Sequence, residues 1–155
     1  MAKNIRKAFH TGTVKKAITI KAPKERVWIK LSNIVGLPSW ALDVKKTTYL
    51  SKKRRGIGAI RKITFENGNI IEEHVIAWKS GEYFSYIATE GLLLRAYVAT
   101  ISINPKNKKS TRITWQSYIN SNKMSTAQFR KFLSDMGSFY QTSLENLKTV
   151  IEKSQ

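Results

Sequence analysis

The sequence predicts an α+β domain: a curved, antiparallel, seven-stranded sheet wrapped around one long C-terminal helix, with two short helices between strands one and two. Three observations lead there. Between Ser125 and Gln155, apolar side chains recur at Phe129, Phe132, Leu133, Met136, Tyr140, Leu144, Leu147 and Ile151. Their steps of three and four mark one face of a helix. Between Lys45 and Ile119, short β-prone segments alternate with turn residues, and connections this short join antiparallel neighbours. Finally, a helix of roughly 25 residues is about 38 Å long. Its aromatic stripe needs an extended apolar surface. A curved sheet supplies one and leaves a cavity where sheet and helix diverge.

The elements follow in order. Residues 1–12 are basic, lack sustained periodicity and read as a tail; 13–155 read as the domain. Thr13 to Ile20 alternates and forms the first strand. Ala22-Pro23-Lys24-Glu25 opens a short helix, since proline and an acidic residue suit the first turn. Val27, Trp28, Leu31 and Ile34 are its apolar face, Gly36 and Pro38 its end, and Ser39 to Leu42 a second helical turn. Strands are expected at Lys45–Leu50, Ile57–Phe65, Ile70–Trp78, Tyr83–Ala88, Leu94–Ile103 and Ser110–Ile119. Asn67-Gly68 is a strong hairpin signal between the third and fourth. Asn104 to Lys109 reads as a polar turn, and Ser125 or Thr126 as the cap of the long helix. Gly137 is its weak position, at about 1 kcal/mol against alanine.

Charge is the unusual feature. Lys plus Arg number 28 against 10 Asp plus Glu, a net charge of +18, which attracts polyanions or keeps a surface solvated. Cysteine is absent, so neither disulfides nor thiolate chemistry contribute. No apolar run approaches the ~18 residues of a membrane span, so a cytoplasmic protein is expected.

The element order, with Ile20-x-Ala22-Pro23-x-Glu25-x-Val27-Trp28 leading into the Trp40 segment, resembles the START-like (SRPBCC) superfamily. That group holds lipid-transfer START domains, plant pathogenesis-related allergens, hormone receptors and polyketide cyclase/dehydrase-like proteins on a helix-grip fold. Gly58-x-x-Arg61, Glu73, Tyr86, Pro105 before the seventh strand and Thr114-Trp115 carry the resemblance further, over about residues 13–153. Many members have a glycine-rich turn before the seventh strand, where this chain has basic residues. The resemblance implies an internal cavity for an apolar ligand, with the Gly91-Leu92-Leu93 loop gating its mouth.

Neighbouring residues on a strand face opposite ways, so Glu73 cannot share a face with Glu72 or His74. Across the Glu66–Asn69 turn Glu73 lies opposite Arg61, and the two are expected to form a polar pair in the pocket or a structural ion pair. Alternation places Phe84 with Tyr86, and Ile113 with Trp115 and Ile119, on the inner face. Ligand-binding candidates are therefore Arg61, Glu73, Tyr86, Trp115, Met136, Tyr140, Leu92 and Leu93. His10 and His74 stand far apart and no acidic cluster has ligand spacing, so no metal is expected. The glycines lack a phosphate-loop pattern, and no cofactor is expected.

Three functions stay open. The first is a monomeric binder of a small hydrophobic or amphipathic molecule. The second is a cyclase/dehydratase-type enzyme in the same cavity, with Glu73 or a tyrosine moving a proton. The third is a basic module docking on anionic membrane or nucleic acid. In a meander, alternate turns share one end, which gathers Lys52, Lys53, Arg54, Arg55, Lys79, Lys106, Lys108 and Lys109; of these, Lys52, Lys53, Arg54, Arg55, Lys108 and Lys109 are the polyanion-contacting candidates.

Overall fold

The computed structural model describes residues 9–154. Seven strands form one open antiparallel sheet in the order β1-β7-β6-β5-β4-β3-β2. They are β1 (His10–Ile20), β2 (Val44–Tyr49), β3 (Ile60–Phe65), β4 (Ile70–Lys79), β5 (Tyr83–Glu90), β6 (Ala96–Asn107) and β7 (Ser110–Ser121). Helix α1 (Lys24–Ser32) and a 3₁₀ turn (Leu37–Ser39) link β1 to β2, and α2 (Thr126–Lys153) closes the chain. This is the helix-grip arrangement expected from the pattern.

The Ser125 hydroxyl accepts from the Gln128 N–H at 3.1 Å, and the Gln128 side chain accepts from the Ser125 N–H at 2.8 Å. This reciprocal capping box satisfies two of the donors a helix start leaves open. Along α2, Phe129, Tyr140, Leu144, Leu147 and Ile151 are buried against the sheet. Burying a large apolar side chain contributes about 1.5–3 kcal/mol, so this face holds the helix in the sheet's grip. Phe132 and Met136 are only half-buried, because sheet and helix part there.

Several boundaries differ from expectation. β1 starts at His10, inside the segment read as tail; residues 1–8 of that segment lie outside the described residues. His10 pairs with Ser121 and stacks on Phe129 at 5.4 Å, and a Cβ on Gly12 would lie 2.8 Å from Leu133 Cδ1. The strand is therefore fixed by β7 and α2, which local periodicity cannot show. α1 ends at Ser32, and Pro38 belongs to the start of the 3₁₀ turn, whose Leu37 carbonyl accepts from Trp40 at 3.0 Å and Ala41 at 2.7 Å. The second helical turn thus precedes Trp40.

β3 begins at Ile60, not Ile57, because Gly56 and Gly58 take positive φ values of 83° and 92° that break the strand. Pro105 sits within β6 opposite Thr111, not in a turn. Ile103 donates to the Glu82 carbonyl just before β5 begins, so the same side of residue 105 lies past the end of β5. A missing N–H costs nothing on that free side. β7 runs on to Ser121 and β5 to Glu90. Register shifts between Glu72 and Glu73, and between Val75 and Ala77, interrupt β4, and bulges of this kind bend a strand.

Candidate functional site

Where α2 diverges from the sheet lies a cavity of about 230 Å³, below the roughly 300 Å³ at which ligand pockets usually start. Phe132, Asp135, Met136 and Phe139 of α2 form one wall. Leu37, Ala41 and Val44 come from the link into β2, and Leu92 from the β5–β6 loop. The sheet supplies Arg61, Ile63, Phe65, Ile71, Glu73, Tyr86, Tyr97 and Trp115. Strand alternation explains this set: residues two apart on a strand share its inner face, as Arg61, Ile63 and Phe65 do on β3.

Arg61 and Glu73 are directly opposed in the β3–β4 register. Both are buried, at 4% and 6% exposure, so their charges must be met inside the protein. Arg61 Nε donates to Glu73 Oε1 at 2.9 Å, Nη2 contacts the same oxygen at 2.7 Å, and Nη1 donates to the Ile34 carbonyl at 2.9 Å. The guanidinium lies 4.8 Å over the Tyr86 ring. Burial pushes the Glu73 carboxyl above its ordinary value, and the Arg61 guanidinium opposes that rise without cancelling it.

Around the pair stands an aromatic network. Trp115 Nε1 donates to the Tyr86 hydroxyl at 3.0 Å. Tyr140 stacks on Trp115 with centroids 3.9 Å apart, and its hydroxyl is hydrogen-bonded to that of Tyr97. Burial holds Tyr86, Tyr97 and Tyr140 well above the ordinary phenol value, so all three are neutral hydroxyls near neutral pH. The site thus combines an apolar wall, one self-neutralised ion pair and uncharged phenols.

Residues 11–152 match the family described as polyketide cyclase / dehydrase and lipid transport. The chain belongs to that family. No curated protein sequence matches this polyketide cyclase/dehydrase-family chain. Among solved structures, it is similar to the protein XoxI of Bacillus cereus, with a TM-score of 0.78 and 17% identity, covering 90% of this chain and 95% of that one. A START superfamily protein from Mycobacterium smegmatis gives a TM-score of 0.77 at 15% identity, covering 92% and 99%. A Nitrosospira multiformis protein gives 0.75 at 21% identity, covering 93% and 100%. At these identities the likeness is one of fold.

Within this polyketide cyclase/dehydrase-type fold, Arg61, Glu73, Tyr86, Trp115, Met136 and Leu92 come together in the cavity wall. Tyr140 does not reach the wall; it is fully buried beneath it, behind Trp115. Leu93 is 76% exposed and, outside the cavity, borders a separate surface depression together with Lys123, Gln128 and Lys131. Gly91 in this loop has a φ of 93°, and a Cβ there would lie 2.0 Å from the Ile70 carbonyl oxygen, so the turn requires glycine. Phe65, Phe132, Phe139, Leu37 and Ala41 were not foreseen. Phe132 was legible from the α2 stripe, and Phe139 flanks that stripe beside Tyr140. Leu37 and Ala41 sit in an irregular link that carries no periodic signal.

His74 pairs with Glu72 at 3.0 Å, away from Glu73. Among the described residues no cluster of three or more His, Cys, Asp or Glu could hold a metal ion. No described helix is long and apolar enough to cross a membrane. Lys52, Lys53, Arg54, Arg55, Lys79, Lys106, Lys108 and Lys109 are all exposed at the sheet end opposite the β5–β6 loop. There the Arg54 guanidinium lies 4.6 Å over the Tyr49 ring, and Lys79 pairs with Glu82 at 2.9 Å.

Proposed function

We propose that the protein binds a small apolar or amphipathic molecule in the cavity between α2 and the sheet. The observation that carries this reading is the cavity itself: an aromatic and aliphatic wall around one buried ion pair, in a family whose description includes lipid transport. A ligand burying about 200 Å² of apolar surface would gain roughly 5 kcal/mol before ordering costs. Binding is favoured over catalysis because the wall is mainly apolar and Glu73, its buried carboxylate, already has one oxygen committed to Arg61.

Native mass spectrometry of the purified protein should detect a small co-purifying molecule. An apolar fluorescent probe should bind at about one per chain, and Met136→Trp, which fills the wall, should weaken it. Absence of both signals would overturn the reading.

A second observation concerns the basic end. Leu50 and Ile57, both more than half exposed, flank and enter the Lys52-Lys53-Arg54-Arg55 loop. Aliphatic tips among cations suit an anionic lipid surface better than nucleic acid, which favours aromatic stacking. We propose weak, salt-sensitive contact with such membranes. Charge reversal at Lys52, Lys53, Arg54 and Arg55 should abolish retention on anionic liposomes and spare probe binding; unchanged retention would refute it.

A further inference from the structure

A guanidinium in an apolar cavity is a common seat for a ligand carboxylate, which it grips through two parallel N–H groups. In this cavity the side-on fork of Arg61 is taken, and three of its five N–H groups are engaged. Each nitrogen of Arg61 already makes a contact: Nε and Nη2 with Glu73 Oε1, at 2.9 and 2.7 Å, and Nη1 with the Ile34 carbonyl at 2.9 Å. The ring of Tyr86 covers one face of the fork. A carboxylate seated on Arg61 would stand beside the Glu73 carboxylate, which shares the cavity wall with it. Like charges that close, screened from water, repel strongly.

Glu73 offers a different contact. Both Arg61 bonds fall on Oε1, and Oε2 takes neither. An ionised carboxylate is an acceptor only, with about four lone-pair sites over its two oxygens. What it can still receive is a hydrogen-bond donor. Tyr86 does not supply one through the bond seen at its hydroxyl, since there it accepts from Trp115 Nε1.

Resting on the ligand-binding reading above, we propose that the cavity selects neutral apolar molecules bearing a hydroxyl-type donor, received by Glu73, and refuses carboxylates. Arg61 then serves as the positioning residue that favours the ionised form of Glu73 and holds it aimed, and the ligand's apolar body lies against Phe139 and Met136. The ligand class is that of phenols and apolar alcohols, as opposed to fatty-acid anions.

The test is calorimetric titration at pH 7.5 with three compounds of matched body: 1-naphthol, 1-naphthoate and 1-methoxynaphthalene. Hydrogen bonds to charged groups set the scale, and 1-naphthol should bind about tenfold or more tighter than either of the others. Replacing the pair together, Arg61→Met with Glu73→Leu, keeps the cavity apolar, and 1-methoxynaphthalene should then bind as well as 1-naphthol. Glu73→Gln, if it folds, should likewise lose most of the preference for 1-naphthol over 1-methoxynaphthalene. Equal or tighter binding of 1-naphthoate to the unaltered protein would overturn the proposal, as would equal binding of all three. Binding of the compounds without discrimination leaves the cavity reading intact and removes only the ligand class. Binding of none, together with no uptake of an apolar fluorescent probe, removes the cavity reading and the proposal with it.

Discussion

Removing one partner of the Arg61–Glu73 pair should be among the most damaging single changes in this protein, and the two removals should differ. Arg61→Met loses two contacts to Glu73, one to the Ile34 carbonyl and the stacking on Tyr86. Breaking a buried ion pair from one side costs about 3–5 kcal/mol. For a domain of this size that corresponds to a fall in Tm of roughly 6–20 °C. Glu73→Leu should cost more, because an abandoned guanidinium cannot shed its charge while an abandoned carboxyl can take up a proton. Burial already holds the Glu73 carboxyl above its ordinary value, and without Arg61 nothing opposes that rise. A carboxyl raised in the folded state contributes stability that is complete below its unfolded pKa and lost as pH rises through the folded one. Arg61→Met should therefore regain stability relative to the unaltered protein between pH 8 and pH 5, while Glu73→Leu should not. The double replacement, Arg61→Met with Glu73→Leu, should lie within about 2 kcal/mol of the starting protein, since apolar packing often substitutes for a buried pair without loss. Urea denaturation followed by fluorescence of the buried Trp40 and Trp115 gives all four corners of the cycle. Single variants each within about 1 kcal/mol of the starting protein, or additive effects in the double variant, would refute the reasoning.

Three further outcomes are expected. Gly91→Ala should destabilise by more than 2 kcal/mol in chemical denaturation, since its Cβ would meet the backbone carbonyl of Ile70 at 2.0 Å and the residue has a positive φ. Gly137→Ala should instead be neutral or stabilising by up to about 1 kcal/mol, because the close neighbour is the flexible Lys16 side chain, with Cε at 3.3 Å, and alanine favours the helix. On alkaline titration followed by tyrosinate absorbance, Tyr86, Tyr97 and Tyr140 should ionise only as the protein unfolds. A phenol raised in the folded state contributes stability that is lost as pH rises past its unfolded value near ~10, so unfolding and the absorbance step should coincide, and Tyr86→Phe should shrink that step.

The sequence by itself determined the architecture and the central pair. The three-and-four spacing from Phe129 to Ile151 required a long helix with one apolar face, and the connections between strands were too short for any but antiparallel neighbours. Asn67-Gly68 set the hairpin, so position 61 had to meet position 73, and strict alternation put Phe84, Tyr86, Ile113, Trp115 and Ile119 on one face. These are local properties, written in period and turn chemistry. Contacts between distant segments were not written there. Tyr140 lies on the predicted stripe, yet the stacking of Trp115 against it removes it from the cavity wall. Leu92 and Leu93 are identical side chains in adjacent positions, and only the path of the loop turns one inward and the other to solvent. Pro105 is permitted in a strand because β5 ends before reaching it. The engagement of Arg61 by the Ile34 carbonyl, 27 residues away along the chain, depends on how the link after α1 folds back on the sheet. Sequence periodicity dictates which face a side chain takes; only the packed fold decides what stands opposite it, and with that what the cavity can hold.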